Sequence, residues 1–279
     1  MRIDAVVVLY NPGLEVFENI KTYSSIVDIL YVVDNSTEPN LKLVEMIGKE
    51  CQNATYIPLN GNLGIAKALK EGLKKAASSE ADYCLTMDQD SKFPTDKMED
   101  IKKYLLEAGD DYGIISLNAK GVDKNDEFTG IKDVDVWITS GNFINMKNYL
   151  KTHGFNEDLF IDLVDFELCE QFHKINKKIG IIGEICLTHK IGEPMIKRFL
   201  WKKVKVDNHP PIRYYYQYRN TEYLWRRNKA FYARWHKEGY KVELVQLLLG
   251  ENKKERLKMI RKGRKDGKKG ILGPYKEEK

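Results

Sequence analysis

Apolar segments alternate with helical patterns in the first third of the chain, and this alternation constrains the fold more than any other feature. The first segment, Ile3 to Tyr10, is rich in valine, which is typical of a strand buried on both faces. Further strands are predicted at Ile29 to Val33, Thr55 to Leu59 and Tyr83 to Met87, with helices between them. Parallel strands require crossover connections, so the pattern predicts an α/β fold with a doubly wound, mostly parallel sheet.

Polar residues follow each of these predicted strands directly. They are Tyr10-Asn11, Asp34-Asn35-Ser36, Asn60 to Gly64 and Asp88-Gln89-Asp90. Ligands of doubly wound sheets bind outside the carboxyl ends of the strands. The sequence therefore predicts a binding site at this edge of the sheet.

The second half of the chain has a looser pattern. Strands are predicted at Gly113 to Asn118, Val134 to Thr139 and Lys178 to Leu187, and a helix is predicted at Leu163 to Lys174. We expect this half to form the side of the site that holds the second, accepting substrate.

Asp88 and Asp90 follow the fourth predicted strand with one residue between them. Two carboxylates at this spacing can ligate one divalent cation, but a solvated turn explains the same residues equally well. His189 follows the strand that begins at Lys178. A lone histidine is more often structural, whereas an imidazole beside a carboxylate pair is a credible third ligand for a manganese-like ion.

A second acidic cluster contains Asp158, Asp162 and Asp165. On a helix, their spacing of three or four residues would place them on one face, where like charges repel. A carboxylate in a partly desolvated pocket can act as a general base towards a sugar hydroxyl. The alternative is a solvated acidic surface.

The charge of the chain is divided unevenly. Residues 1–196 contain 21 Lys and Arg against 32 Asp and Glu, whereas residues 197–279 contain 25 against 9. We therefore predict a catalytic domain over 1–196 and a helical, basic and aromatic extension over 197–279. Basic residues beside aromatic rings suit an anionic lipid surface or nucleic acid, and a helical hairpin with core aromatics is the structural alternative. Lipid is favoured because no nucleic-acid-binding motif is visible.

No membrane-spanning segment and no secretory leader are expected. The longest apolar stretches fall short of 18 residues, and the first apolar run begins after Arg2 alone.

Together these segments resemble the inverting, nucleotide-sugar-dependent glycosyltransferases with the GT-A fold, and more narrowly their bacterial rhamnosyltransferase branch. The resemblance covers most of the chain and depends on seven segments in order, Val7 to Asn11, Val33 to Ser36, Asn62 to Ala66, Met87 to Ser91, Thr139 to Gly141, Leu159 to Asp165 and His189 to Gly192. One departure is Val164, where many relatives have glutamate.

The resemblance implies a nucleotide pocket at the first three strands. Asp34 would recognise the pyrimidine base of the donor. Tyr10 and Asn11 would lie beside it, and the turn with Asn62 and Gly64 would line the same pocket.

The resemblance also implies a metal site and a base. Asp88 would contact the ribose or the metal, and Asp90 and His189 would ligate Mn²⁺ or Mg²⁺. Asp165 would take the proton of the acceptor hydroxyl, with Asp162 as a rival or helper base.

Trp137, Ser140 and Gly141 are expected in the acceptor or sugar pocket. The implied reaction moves a sugar, rhamnose from a dTDP donor first and a hexose from a UDP donor second, to a glycan or lipid-linked acceptor in bacterial surface polysaccharide synthesis. The implied location is cytoplasmic, at the inner face of the cell membrane, without nucleic acid as a partner. Two alternatives are a sugar nucleotidyltransferase, disfavoured because Tyr10 to Gly13 has no basic residue for a triphosphate, and a non-enzymatic scaffold with a nucleic-acid-binding tail.

Overall fold

The structure is a computed structural model that describes residues 1–119, 128–189, 195–199, 202–206 and 208–277. The chain forms two compact units. The first contains Met1–Glu157 and Asp165–Lys190, and the second contains Asp158–Val164 and Ile191–Lys279. The acidic segment Asp158–Val164 is thus grouped with the C-terminal residues, whereas the functions assigned to 1–196 and 197–279 remain predictions.

The first unit begins with the four predicted strands. They are β1 (Ile3–Leu9), β2 (Leu30–Asp34), β3 (Ala54–Pro58) and β4 (Tyr83–Asp88). They pair in the order β3-β2-β1-β4, and all three pairings are parallel. The connecting helices are α1 (Val16–Ser24), α2 (Leu41–Glu50) and α3 (Ile65–Ser78). The predicted fold class and these four strands are confirmed.

The elements that follow β4 in the chain are β5 (Ser91–Lys92), α4 (Met98–Ala108), β6 (Tyr112–Ala119), β7 (Ile131–Val134), β8 (Asn142–Asn145), α5 (Met146–Tyr149), α6 (Val164–Lys174) and β9 (Lys178–His189). The sheet continues beyond β4 with mixed pairing. Its order over the described residues is β3-β2-β1-β4-β8-β6-β9-β5, with β7 paired to β9. Strand β8 is antiparallel to β4 and β6, and β6 and β9 are parallel.

The strand predicted at Val134 to Thr139 is wrong. Strand β7 ends at Val134, and the following residues leave the ladder. The backbone carbonyl of Thr139 accepts a hydrogen bond from the Thr86 hydroxyl (2.7 Å), and the amide of Gly141 donates to the Thr86 carbonyl (2.8 Å). The end of this segment is therefore hydrogen-bonded to β4 without forming the predicted strand.

Close packing of α3 on the sheet depends on Gly72. A Cβ atom at this position would lie 2.5 Å from Cγ1 of Val6, which no side chain tolerates without movement. Val6 is fully buried on β1. The close approach brings the first turn of α3 to the carboxyl edge of the sheet.

The second unit contains a hairpin and three helices. They are β10 (Met195–Phe199), β11 (Lys202–Val206), α7 (Pro211–Arg227), α8 (Lys229–Leu249) and α9 (Lys253–Lys269). Helix α9 approaches α7 closely because Gly267 has no side chain. A Cβ atom at this position would lie 2.3 Å from the Arg219 carbonyl oxygen. Within the described ranges, no helix combines the length and the apolar character that a membrane span requires.

The tyrosines of α7 form the interior of the second unit. Buried rings include Tyr214, Tyr215, Tyr216, Tyr218 and, on α8, Tyr232. These rings therefore do not supply the aromatic surface on which the lipid interpretation of the sequence partly depended. Trp201 lies outside the described residues.

Candidate active site

The carboxyl ends of β1, β2 and β4 are adjacent, and side chains join them. The Tyr10 amide donates to Oε1 of Gln89 (2.9 Å), and Nε2 of Gln89 donates to the Tyr10 carbonyl (3.2 Å). The Asn11 amide donates to the Ser36 hydroxyl (2.8 Å). Three polar segments that are distant in sequence thus form one edge, as predicted.

Asp34 is a buried carboxylate at the end of β2. Its Oδ1 accepts from the Ser36 amide (2.9 Å), and its Oδ2 accepts from the Tyr56 hydroxyl (2.8 Å). Burial, together with this carboxylate, raises the pKa of Tyr56 well above its ordinary value, so the phenol stays a donor. Two donors therefore hold the Asp34 carboxylate in one orientation. Tyr56 was not singled out from the sequence.

Asn35 and Asn62 fix the turn before α3. Nδ2 of Asn35 donates to Oδ1 of Asn62 (3.2 Å), and Oδ1 of Asn35 accepts from the Leu63 amide (2.8 Å). The Gly64 amide donates to Oδ1 of Asn62 (3.1 Å). Gly64 has a φ of +90°, a value that favours glycine, and it directly precedes α3.

The turn that contains Asp88 and Asp90 is anchored from beneath. The Asp88 amide donates to the Ser140 hydroxyl (3.1 Å), which donates to the Ser91 hydroxyl (2.9 Å). Nδ2 of Asn19 donates to the Gln89 carbonyl (2.8 Å). Ser140 is buried, and its hydroxyl bonds to Asp88 and Ser91 hold this turn. Asp90 itself is exposed, and Asp88 is partly exposed.

The backbone of His189 is brought to the same turn. Strand β5 pairs antiparallel with β9, and Ser91 lies opposite His189 in this ladder. His189 is therefore one residue out of register with Asp90, although 99 positions separate them in sequence. The imidazole itself lies outside the described side chains, among which no three His, Cys, Asp or Glu groups converge as metal ligands.

Trp137 and Gly141 are both hydrogen-bonded to Leu117 of β6. Nε1 of Trp137 donates to the Leu117 carbonyl (3.2 Å), and the indole is buried. Gly141 has a φ of +84°. Its carbonyl accepts from the Leu117 amide (3.0 Å), so β6 supports both residues. Their expected place in the acceptor or sugar pocket stays a prediction.

Asp165 lies in the first turn of α6, where the helix dipole favours a carboxylate. Its Oδ1 accepts from the Phe166 amide (3.0 Å). One turn later, burial raises the pKa of Cys169 to about 12, and the charge of Asp165 adds to that effect. The carboxylate thus lies next to a thiol that stays protonated at neutral pH.

Asp162 belongs to the second unit and is paired with an arginine there. Nε of Arg213 donates to its Oδ2 (3.0 Å), and Nη2 donates to its Oδ1 (2.6 Å). Asn220 uses Nδ2 to donate to the carbonyls of Leu159 (3.0 Å), Ile161 (2.8 Å) and Asp162 (2.8 Å). These α7 residues hold the segment that precedes Asp165.

Arg219 completes this clamp, which we define as Arg213, Arg219 and Asn220. The buried guanidinium donates to the Leu159 carbonyl (2.8 Å) and also to the carbonyl of Gly273. No signal in the sequence connects these residues to the acidic cluster, because 51 positions separate Asp162 and Arg213.

The clamped segment has an unusual backbone. Phe160, Asp162 and Leu163 have φ values of 64°, 69° and 61°. Non-glycine residues rarely adopt this left-handed region, and three in four positions require strong support from their surroundings. The Phe160 ring stacks on Tyr216 (4.9 Å between centroids), which adds to that support.

With this geometry in view, comparisons with known proteins decide the family. A family model described as glycosyl transferase family 2 matches residues 6–171. The chain belongs to glycosyl transferase family 2. It is 27% identical over 248 residues, 81% of each chain, to the dTDP-rhamnosyl transferase RfbF of Shigella flexneri. The chain is therefore a nucleotide-sugar-dependent glycosyltransferase.

Solved structures share the fold. TarS 1–349 of S. aureus in complex with UDP-GlcNAc matches with a TM-score of 0.59 and 14% identity, covering 97% of this chain and 92% of that one. GalNAc-T7 with UDP, GalNAc and Mn²⁺ matches with a TM-score of 0.59 and 13% identity, covering 96% of this chain and 55% of that one. The chain also spans 55% of a longer TarS structure. The predicted GT-A fold is confirmed.

Proposed function

We propose that this enzyme transfers rhamnose from dTDP-rhamnose to a hydroxyl of a glycan or lipid-linked acceptor, with inversion at the anomeric carbon, during bacterial surface polysaccharide synthesis. The rhamnosyl transferase relative, aligned over 81% of both chains, supports the donor. The observation that carries the proposal is the β5–β9 ladder, in which the backbone of His189 lies beside the Asp88–Asp90 turn.

The proposed metal ligands suit a divalent cation. Two carboxylates and an imidazole combine hard oxygen and nitrogen ligands, which Mn²⁺ accepts and Mg²⁺ tolerates. We propose Asp90 and His189 as ligands, with Asp88 contacting the metal or the ribose. A bound cation would supply charge to the diphosphate as it leaves. The Mn²⁺ in the GalNAc-T7 structure supports this assignment.

The chain's own residues perform the remaining steps. Asp34, held by Ser36 and Tyr56, is suited to accept hydrogen bonds from a pyrimidine base. We assign Asp165 as the base that takes the acceptor proton while the acceptor oxygen attacks the anomeric carbon. A single displacement of this kind inverts the configuration. Asp162 is assigned to support, because its charge is already compensated by the bidentate ion pair with Arg213.

We place the enzyme at the inner face of the bacterial cell membrane. Helix α9 contains ten Lys and Arg against two acidic residues, a composition that favours anionic surfaces. A lipid-linked acceptor would be encountered there.

A donor panel tests the proposed function. Thermal shifts with dTDP-rhamnose, UDP-GlcNAc and UDP-glucose, each with and without Mn²⁺, should show the largest stabilisation for dTDP-rhamnose with the cation. A larger shift with a UDP-sugar would transfer the donor assignment to a UDP-hexose.

The base is tested by Asp165→Asn with Asp162→Asn as the matched control. Asp165→Asn should keep the donor-induced thermal shift and lose transfer by orders of magnitude. Asp162→Asn should lower stability and lose less activity. Unchanged turnover in Asp165→Asn would remove that residue from the role.

A further inference from the structure

The outward side of α8 carries an apolar patch near the C-terminal end of the helix. Tyr240, Leu244, Leu247 and Leu248 are 50%, 55%, 48% and 46% exposed. Their spacing of four, seven and eight residues places them on one face. We call these four residues the α8 patch.

Packing on the opposite side fixes this orientation. Tyr232 and Gln246 are buried on α8, and Oε1 of Gln246 accepts from Nη1 of Arg256 on α9 (2.8 Å). The Gly239 carbonyl accepts from the Tyr218 hydroxyl of α7 (2.6 Å). These bonds hold the inner face of α8 against its neighbours. Leu244, Leu247 and Leu248 are exposed on the other side, and Tyr240 lies at the border with α9.

Basic residues lie on the same helix as the α8 patch and on the neighbouring α9. Lys237 and Lys241 are exposed on α8, and Arg264 lies over the Tyr240 ring at 4.2 Å. Seven basic residues of α9 are also exposed, namely Lys253, Lys254, Lys258, Arg261, Lys265, Lys268 and Lys269. Two copies of the chain meeting through this surface would place like charges together, which disfavours a homodimer as the occupant.

We propose that the α8 patch, with Lys237 and Lys241, docks on an anionic lipid bilayer, where the leucines enter the headgroup region. Leucines beside lysines are the combination by which interfacial helices bind membranes without spanning them. The inference rests on the proposed function only for the location of the enzyme at the membrane, and it names the residues that would bind there. It concerns residues that the proposed reaction does not use.

Sedimentation with vesicles tests the proposal on the full chain. Vesicles of phosphatidylglycerol with phosphatidylcholine should bind the wild type, and pure phosphatidylcholine should bind it far less. The triple variant Leu244→Ser, Leu247→Ser, Leu248→Ser should reduce the partition coefficient by at least about tenfold. Lys237→Gln with Lys241→Gln should reduce it by roughly fivefold per lysine at low salt.

The matched control uses exposed leucines of the first unit. Leu106 and Leu150 are 71% and 66% exposed, so Leu106→Ser with Leu150→Ser removes similar apolar surface elsewhere. This control should bind vesicles like the wild type. Equal binding by the triple variant and the wild type, or equal losses in variant and control, would overturn the proposal.

Two further readouts separate the other outcomes. A wild type that is dimeric by analytical ultracentrifugation, with a monomeric triple variant, would assign the patch to a second copy and refute lipid docking. If the triple variant melts at lower temperature, the lysine variants decide the question. Vesicle binding without any sugar transfer would refute the proposed function and leave this inference standing.

Discussion

The clamp on α7 leads to a prediction about Arg213→Met. Left-handed φ values at Phe160, Asp162 and Leu163 cost about 1–2 kcal/mol each, or about 3–6 kcal/mol together. The bidentate pair between Arg213 and Asp162 is one of the interactions that offset this strain. The methionine keeps the apolar stem of the arginine and removes only the guanidinium.

The expected magnitude follows from exposure. The side chains of Arg213 and Asp162 are 35% and 12% exposed, so solvent weakens the pair. Hydrogen bonds to charged groups contribute about 1.5–3 kcal/mol, and the partial exposure favours a value of about 2 kcal/mol. Arg213→Met should therefore lower the free energy of unfolding by about 2 kcal/mol.

Hydrogen exchange is the decisive assay. If the segment opens locally, amides of residues 160–163 should exchange up to about thirtyfold faster, the factor that corresponds to about 2 kcal/mol. Because the segment leads directly into Asp165, kcat should fall while the KM for the donor changes little. The control is Arg234→Met, which removes an exposed ion pair with Glu238 and should change stability by less than about 0.5 kcal/mol. Unchanged exchange at 160–163 in Arg213→Met would refute the clamp.

Three other changes test separate contacts. Gln89→Ala removes both hydrogen bonds to the Tyr10 backbone and should weaken binding of the sugar-nucleotide donor by about tenfold, measured by calorimetry. Unchanged affinity would show that these bonds do not position the nucleotide pocket. Leu163→Gly should relieve left-handed strain and raise the free energy of unfolding by up to about 1 kcal/mol, and a loss in denaturant titration would contradict the strain argument. Hydrogen bonding to Lys67 holds the pKa of Glu157 below its ordinary 4.5. The pair therefore contributes its full stabilisation of the folded state above pH 4.5, and that contribution is lost as the pH falls through the lowered pKa. Glu157→Gln should therefore flatten the acid side of the stability profile by less than about 1 kcal/mol, and an unchanged profile would contradict the linkage.

Sequence reasoning succeeded where one segment contains its own signal. The runs at β1, β2 and β4 are mostly apolar and end in polar residues, so these strands and the edge at which their polar ends meet could be predicted. Strand β8 was missed because Asn142–Asn145 is four residues long and has asparagine at both ends. The hairpin of β10 and β11 was missed because basic residues interrupt its apolar pattern.

The supports of the site could not be predicted, because they depend on register between distant segments. Ser140 meets the Asp88 amide only because β8 pairs antiparallel with β4. Tyr56 reaches Asp34 because β2 and β3 are parallel neighbours. Arg213 has no local pattern that marks it, since α7 is rich in arginine and tyrosine throughout. The candidate catalytic and metal-binding residues were therefore easier to propose than the residues that hold them.

The contacts of Asp162 favour Asp165 as the base, and a double-mutant cycle makes the choice measurable. A general base must take up the proton of the acceptor hydroxyl, whereas the Asp162 carboxylate already forms a bidentate ion pair with the Arg213 guanidinium. If Asp162 acts only through this pair, Asp162→Asn and Arg213→Met should reduce turnover similarly, and the double variant should add little to either. If Asp162 were the base, Asp162→Asn would abolish transfer in both backgrounds and Arg213→Met alone would not. Such a result would reassign the base and leave Asp165 as the supporting carboxylate.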